Sequence, residues 1–249
     1  MTTTTGGAAN VLGKLEDYLQ TEWPELDVYL TSVTDHYATA SLCGPNSKKI
    51  LKKIIPDLDL SDENFPHMSF KEANIGSIQC RIMRISFTGE HSYEINVQAS
   101  YGKDLWKKCI EAGQEFNITP YGTETMHLLR AEKGFIIVGQ DTDGTMTPID
   151  LQMDWIVSKK KYDFIGKRSL YRSDTMREDR KQLVGLLTDD PNIVLEEGAQ
   201  IVSELNQSPV EMLGHVTSSY FSPNLKKSIA LAVVRGGKDM MGKKLFVPM

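Results

Sequence analysis

Apolar residues recur with helical period at Ala8, Val11, Leu12, Leu15 and Leu19, predicting a first helix from about Ala8 to Gln20 that Trp23-Pro24 ends. Val28–Leu30 and Ala38–Leu42 read as short strands. Gly44-Pro45 then opens a second helix, since proline suits the first helical position, and Ile50, Leu51, Ile54 and Ile55 give it an apolar stripe that Pro56 stops. Ile78, Cys80 and Ile82 alternate with polar residues, as do Tyr93, Ile95 and Val97, predicting two strands joined through Phe87-Thr-Gly-Glu-His-Ser92. A helix at Lys103–Ala112 turns Leu105, Trp106, Cys109 and Ile110 inward, with Gly113 as its cap. Another at Thr123–Lys133 closes at Gly134. Interleaved helices and strands point to α+β lobes of ferredoxin-like type.

The pattern changes after Trp155. Lys159–Lys167 is basic and loop-like, and a short helical patch covers Arg168–Arg177. Only short strands follow: Leu183–Leu187, Gln200–Ser203, Met212–Ser218, Ile229–Val234 and Lys244–Val247, separated by turns such as Glu197-Gly198 and Gly236-Gly237. That predicts a small C-terminal β-barrel. The expected division is 1–160 for the first region and 161–249 for the barrel.

At 249 residues the chain can bury a substantial core. A net charge of −5 argues against a general nucleic-acid or membrane-surface binder. No apolar run approaches the roughly 20 residues of a membrane helix. Cys43, Cys80 and Cys109 are odd in number and far apart, which fits reduced thiols and a cytoplasmic setting rather than a disulfide framework. The five histidines show no metal-ligand spacing, so no zinc site is expected. Asp141-Thr-Asp-Gly-Thr145 lacks the third acidic ligand and the terminal glutamate of a calcium loop. No phosphate-loop or dinucleotide-binding glycine spacing is present.

Three stretches do carry a specific pattern. They are Phe87-Thr-Gly-Glu-His-Ser-Tyr-Glu-Ile95, Leu129-Arg-Ala-Glu-Lys-Gly134 with Gly139-Gln-Asp141, and Gly214-His-Val-Thr-Ser-Ser219 with Ser222-Pro223. In this order and spacing they resemble the T-protein (aminomethyltransferase) family of the glycine cleavage system, over nearly the whole chain. Within that family, Thr119–Asp143, Met153–Lys161 and Met1–Ala9 are similar to the T-protein-like region of heterotetrameric sarcosine oxidase alpha subunits.

The resemblance implies aminomethyltransferase lobes around a folate channel, with tetrahydrofolate as the ligand. A pterin edge presents a ring N–H beside an amino group, and one carboxylate accepts both in a fork. By resemblance Glu132 is that carboxylate. The alternative is a solvated helix charge. The glutamate tail of folate needs cations, and Lys159, Lys160 and Lys161 stand where the family places them. Lys161 takes the position of a tail-contacting arginine, whose bidentate fork lysine cannot reproduce. Glu90 and Tyr93 are candidates for shaping the pocket. Tyr93 and Glu94 point to opposite faces of one strand, so one of the two is structural. Thr217 and Ser218 are expected to order a turn of the barrel rather than touch a ligand.

The family's reacting-site aspartate, in an Asp-Asp pair, is expected upstream of this chain, so no catalytic residue is assigned. The family barrel is expected to run on past Met249, making the chain an excerpt cut at both ends. Flavin and NAD are expected only in other domains or subunits. Partners are then the remainder of the alpha subunit and the other sarcosine oxidase subunits, with a homodimer through open sheet edges as another outcome. The function so implied is transfer of the one-carbon unit of oxidised sarcosine to tetrahydrofolate. Alternatives are a non-catalytic folate-binding or interaction module, a glycine cleavage T-protein, a dimethylglycine dehydrogenase or a folate-dependent demethylase.

Overall fold

In a computed structural model, which describes residues 1–206 and 208–248, the chain forms two compact units. The first comprises Met1–Ser86 and Glu90–Pro120. The second comprises Phe87–Gly89 and the chain from Tyr121 onward. Packing thus divides the chain near residue 120, whereas the composition shift lies near 160. The architecture is α+β, with one four-stranded antiparallel sheet in each unit.

The first unit begins with helix α1 (Ala8–Thr21) and strand β1 (Tyr37–Cys43), followed by α2 (Ser47–Ile54), β2 (Phe70–Ile75), β3 (Ile78–Met83), β4 (Ser92–Gln98) and α3 (Gly102–Gly113). The sheet order is β1-β4-β3-β2, with Ile82 opposite Ile95 and Ala40 opposite Ile95 on its other side. Alternation decides the buried face: Leu42, Ile75, Ile78, Cys80, Ile82, Tyr93, Ile95 and Val97 pack with Ile50 and Leu51 of α2, Leu105 and Cys109 of α3, and Phe65. The opposite face is polar, where Thr39 Oγ1 donates to Asn96 Oδ1 at 2.7 Å and Arg81 pairs with Glu72 at 2.8 Å.

Two expectations for this unit change. Val28–Leu30 forms no strand, whereas Phe70–Ile75, not anticipated, pairs with β3 through a two-residue turn at Gly76-Ser77. Gly76 has φ +63°, the left-handed conformation that glycine supplies in such hairpins. Gly113 closes α3 without a left-handed cap; its small size instead admits Ile118, whose side chain lies 2.6 Å from where a Cβ would stand.

The second unit carries helix α4 (Thr123–Lys133) and strands β5 (Lys181–Leu187), β6 (Gln200–Val202), β7 (Met212–Ser222) and β8 (Lys227–Arg235), in sheet order β5-β8-β7-β6. Strand β8 is buried on both faces. Ala230, Ala232 and Val234 face a barrel interior with Val184, Ile201, Leu213 and Val216. Leu231 and Val233 face outward and are covered by Ile136, Met146 and Leu151. The expected last strand reduces to a single bridge, Phe246 to Val202. The expected helical patch after Lys167 is a 3-10 segment, Lys167–Tyr171.

Candidate functional site

Helix α4 ends as its sequence dictates. Gly134 takes the left-handed conformation (φ +78°), and the Phe135 N–H reaches back to the Arg130 carbonyl at 2.8 Å. This closure fixes the last turn, where Glu132 stands half-buried. Its carboxylate accepts hydrogen bonds from Ser222 Oγ at 2.5 Å and from Asn224 Nδ2, at 3.0 Å to Oε2 and 3.3 Å to Oε1. Ser222 is the last residue of β7 and is fully buried; Asn224 is exposed on the β7–β8 turn. Glu132 also lines a cleft of ≈ 480 Å³ along the outward face of the sheet, whose walls include Leu151, Leu183, Leu187, Leu225 and Leu231.

Two residues before Glu132, α4 drives a charge into the core. Arg130 is 0 % exposed. Its Nη1 donates to Asp141 Oδ2 and to the Phe135 carbonyl, and its Nη2 donates to Ser218 Oγ at 2.7 Å. Asp141 also accepts from the Ile137 N–H at 2.8 Å and from the hydroxyls of Thr217 and Ser218, each at 2.6 Å. Successive strand residues ordinarily face opposite ways. A register shift between Val216 and Ser218 breaks that alternation, and both hydroxyls reach one carboxylate oxygen. Gln140 adds a third contact, donating to the Thr217 carbonyl and to Ser218 Oγ at 3.3 Å. Thr217 and Ser218 are therefore strand residues that fasten α4 to the barrel, not residues of a barrel turn. Sequence reasoning missed Arg130 and Asp141 as a unit, although both lie inside the quoted motifs.

The motifs converge in this unit. Thr88 is buried, and Gly89 (φ +79°) lies so close to Lys133 that a Cβ would stand 2.4 Å from its side chain. The remainder of the first motif belongs to the first unit. There Tyr93 is 0 % exposed, with its ring 5.8 Å from Phe65 and 5.2 Å from His91, so Tyr93 is the core member of the Tyr93–Glu94 pair. Glu94 is half-buried, and burial pushes its carboxyl above the ordinary range. Glu90 is half-buried at the start of that unit's second segment.

Lys159, Lys160 and Lys161 are exposed on the loop that follows the 3-10 turn Asp154–Ile156, flanked by exposed Trp155, Ile156 and Tyr162. This stretch is followed by a second anchored charge. Arg180 grips Asp150 with two bonds, at 2.9 and 2.8 Å. Burial works to raise the Asp150 carboxyl, but the bonds from Arg180 and Thr147 outweigh it and hold it below the ordinary range. Among the described residues no group of three His, Cys, Asp or Glu side chains is placed to hold a metal, and no helix is long and apolar enough to cross a membrane.

Family comparison decides which fold these motifs define. The GCVT N-terminal domain matches residues 1–161, and the glycine cleavage T-protein C-terminal barrel domain matches residues 181–249. The chain belongs to the glycine cleavage T-protein family. It is 53 % identical over its whole length to the sarcosine oxidase subunit alpha of Corynebacterium sp. (strain P-1), and 41 % identical over 99 % of its length to that of Rhizobium meliloti (strain 1021). It spans only about a quarter of those relatives, 26 % and 25 %. An aminomethyltransferase of Thermoanaerobacter sp. (strain X514) is 32 % identical over 88 % of the chain and 57 % of the relative. The crystal structure of the glycine cleavage system aminomethyltransferase T from Bartonella henselae superposes with a TM-score of 0.79, covering 99 % of this chain and 63 % of that one at 22 % identity. The α+β aminomethyltransferase fold with a C-terminal barrel, expected from the motifs, is thus the fold of this T-protein family chain.

Proposed function

We propose that this chain is a tetrahydrofolate-binding region of a sarcosine oxidase alpha-type subunit and serves transfer of the one-carbon unit of oxidised sarcosine to folate. The observation that carries the reading is Glu132. A carboxylate on a rigid helix end, held half-buried by Ser222 and bordering a leucine-walled cleft, suits a flat ring with two adjacent donors. The lysines at 159–161 supply exposed cations for the carboxylates of a glutamate tail. Tyr93 belongs to the core of the first unit, which leaves half-buried Glu90 as the candidate from that motif for shaping the pocket.

Bound tetrahydrofolate would supply the nucleophilic nitrogen that takes up the one-carbon unit, giving 5,10-methylenetetrahydrofolate and glycine. The chain's own residues hold the pterin edge at Glu132, attract the tail with Lys160 and Lys161, and keep water from the reacting carbon. The relatives are named as subunits, which supports partner subunits for this chain as well. Calorimetric titration of tetrahydrofolate into the chain tests the reading. Saturable binding of one ligand per chain, weakened by salt through the lysines, is expected. Absence of saturable binding at millimolar ligand contradicts it.

A further inference from the structure

Counting lone pairs at Glu132 shows a conflict. A carboxylate offers about four acceptor positions, two on each oxygen. Ser222 and Asn224 together fill both positions on Oε1, and Asn224 takes one on Oε2. A ligand edge with two adjacent donors needs one position on each oxygen. Oε1 has none left, so one of the two residues must withdraw.

The geometry says which. Ser222 is fully buried and holds the carboxylate at 2.5 Å, while its oxygen also accepts the Leu225 N–H at 3.0 Å. It is locked from two sides. Asn224 is exposed on the four-residue turn Pro223–Lys226, and its single nitrogen spreads longer bonds over both carboxylate oxygens. That amide satisfies the same pair of oxygens that a ring N–H and an amino group would satisfy.

We propose that Asn224 is a displaceable occupant of the Glu132 carboxylate, taking the place of the ligand's paired donors until the ligand arrives, while Ser222 is the positioning residue that stays. The assignment rests on the folate reading of Glu132. It makes the turn a selectivity device. A ligand with two adjacent donors replaces both Asn224 bonds, whereas one with a single donor restores only one of them once Asn224 has left.

The test is titration of folinic acid into the whole chain and its variants. Asn224 is exposed, so Asn224→Ala is expected to fold normally. Removing the competitor leaves only water to displace, and affinity is expected to rise about threefold to tenfold. In the unaltered chain, the side-chain amide resonances of Asn224 are expected to shift on saturation. A positioning role for Asn224 would lower affinity instead, so the sign separates the two. Should Glu132→Gln weaken binding while Asn224→Ala weakens it or leaves it unchanged, the displacement is overturned and the folate reading stands. Should the unaltered chain show no binding of folinic acid, the folate reading itself fails.

Discussion

Removing the Asp141 carboxylate strands a fully buried arginine. Arg130 is 0 % exposed, and among the described residues its side chain and that of Asp141 form the one ion pair with both partners at 0 %. Asp141 takes four donors: Arg130, the Ile137 N–H, Thr217 and Ser218. Asp141→Ala leaves Arg130 buried with only the Phe135 carbonyl and Ser218 as partners, and its Nε already has none. Breaking a buried pair by deleting one partner costs about 3–5 kcal/mol, most of it the stranded charge. Asp62→Ala is the control: Asp62 pairs with Arg84 at 2.9 Å but is 72 % exposed, so its loss is worth about 0–1 kcal/mol. Hydrogen exchange by mass spectrometry in rising urea reads the result locally. Peptides from α4 and β7 are expected to lose about 3–5 kcal/mol of protection in Asp141→Ala. A loss there no larger than the control's would refute the view that the pair fastens α4 to β7.

The same reasoning extends to backbone and pH. At Gly214 a Cβ would stand 1.9 Å from the Val233 carbonyl oxygen, so Gly214→Ala must part β7 from β8 and is expected to cost more than about 3 kcal/mol in urea unfolding. Gly185→Ala, with nothing within 4 Å, is expected to stay within about 0.5 kcal/mol. His91 and His215 are both held below 6.5, burial being the larger cause, aided by Arg84 and Lys48 at His91 and by Lys181 at His215, where Asp143 opposes. The unfolded chain therefore binds more protons, and stability is lost as pH falls from the unfolded value through the folded one. Thermal unfolding of the His91→Gln, His215→Gln double variant is expected to fall less between about pH 7 and about pH 5 than that of the unaltered chain. An identical pH slope would contradict this.

How much was legible depended on whether local pattern and tertiary contact agreed. Helix α4 could be bounded because Gly134 meets a backbone requirement written in one residue. Strands β3 and β4 were plain from their alternation. Phe70–Ile75 was not, because Lys71 and Ala73 occupy inward positions and leave only Ile75 as a fully buried apolar residue. Val28–Leu30 reads as a strand by composition but finds no pairing partner. The Arg130–Asp141 pair was hidden for another reason. An arginine in a helix is by default a solvated residue, and its burial depends on a bulge 88 positions away that puts Ser218 beside it. The signal available was the position of Arg130 immediately after Leu128-Leu129, with Asp141 and Thr217-Ser218 both inside quoted motifs. Likewise Ser222 and Glu132 were each noted, but only the fold joins them.

The central claim is that Glu132 receives the pterin edge of tetrahydrofolate. Glu132→Gln keeps the shape but presents an N–H where an acceptor is needed. Glu124→Gln, exposed in the first turn of the same helix, is the control. Bonds to a charged group contribute roughly 1.5–3 kcal/mol. Tetrahydrofolate titrated calorimetrically into both variants is therefore expected to bind Glu132→Gln at least about tenfold more weakly than Glu124→Gln, or about 1.4 kcal/mol. Equal affinities would remove Glu132 from the site and contradict the account.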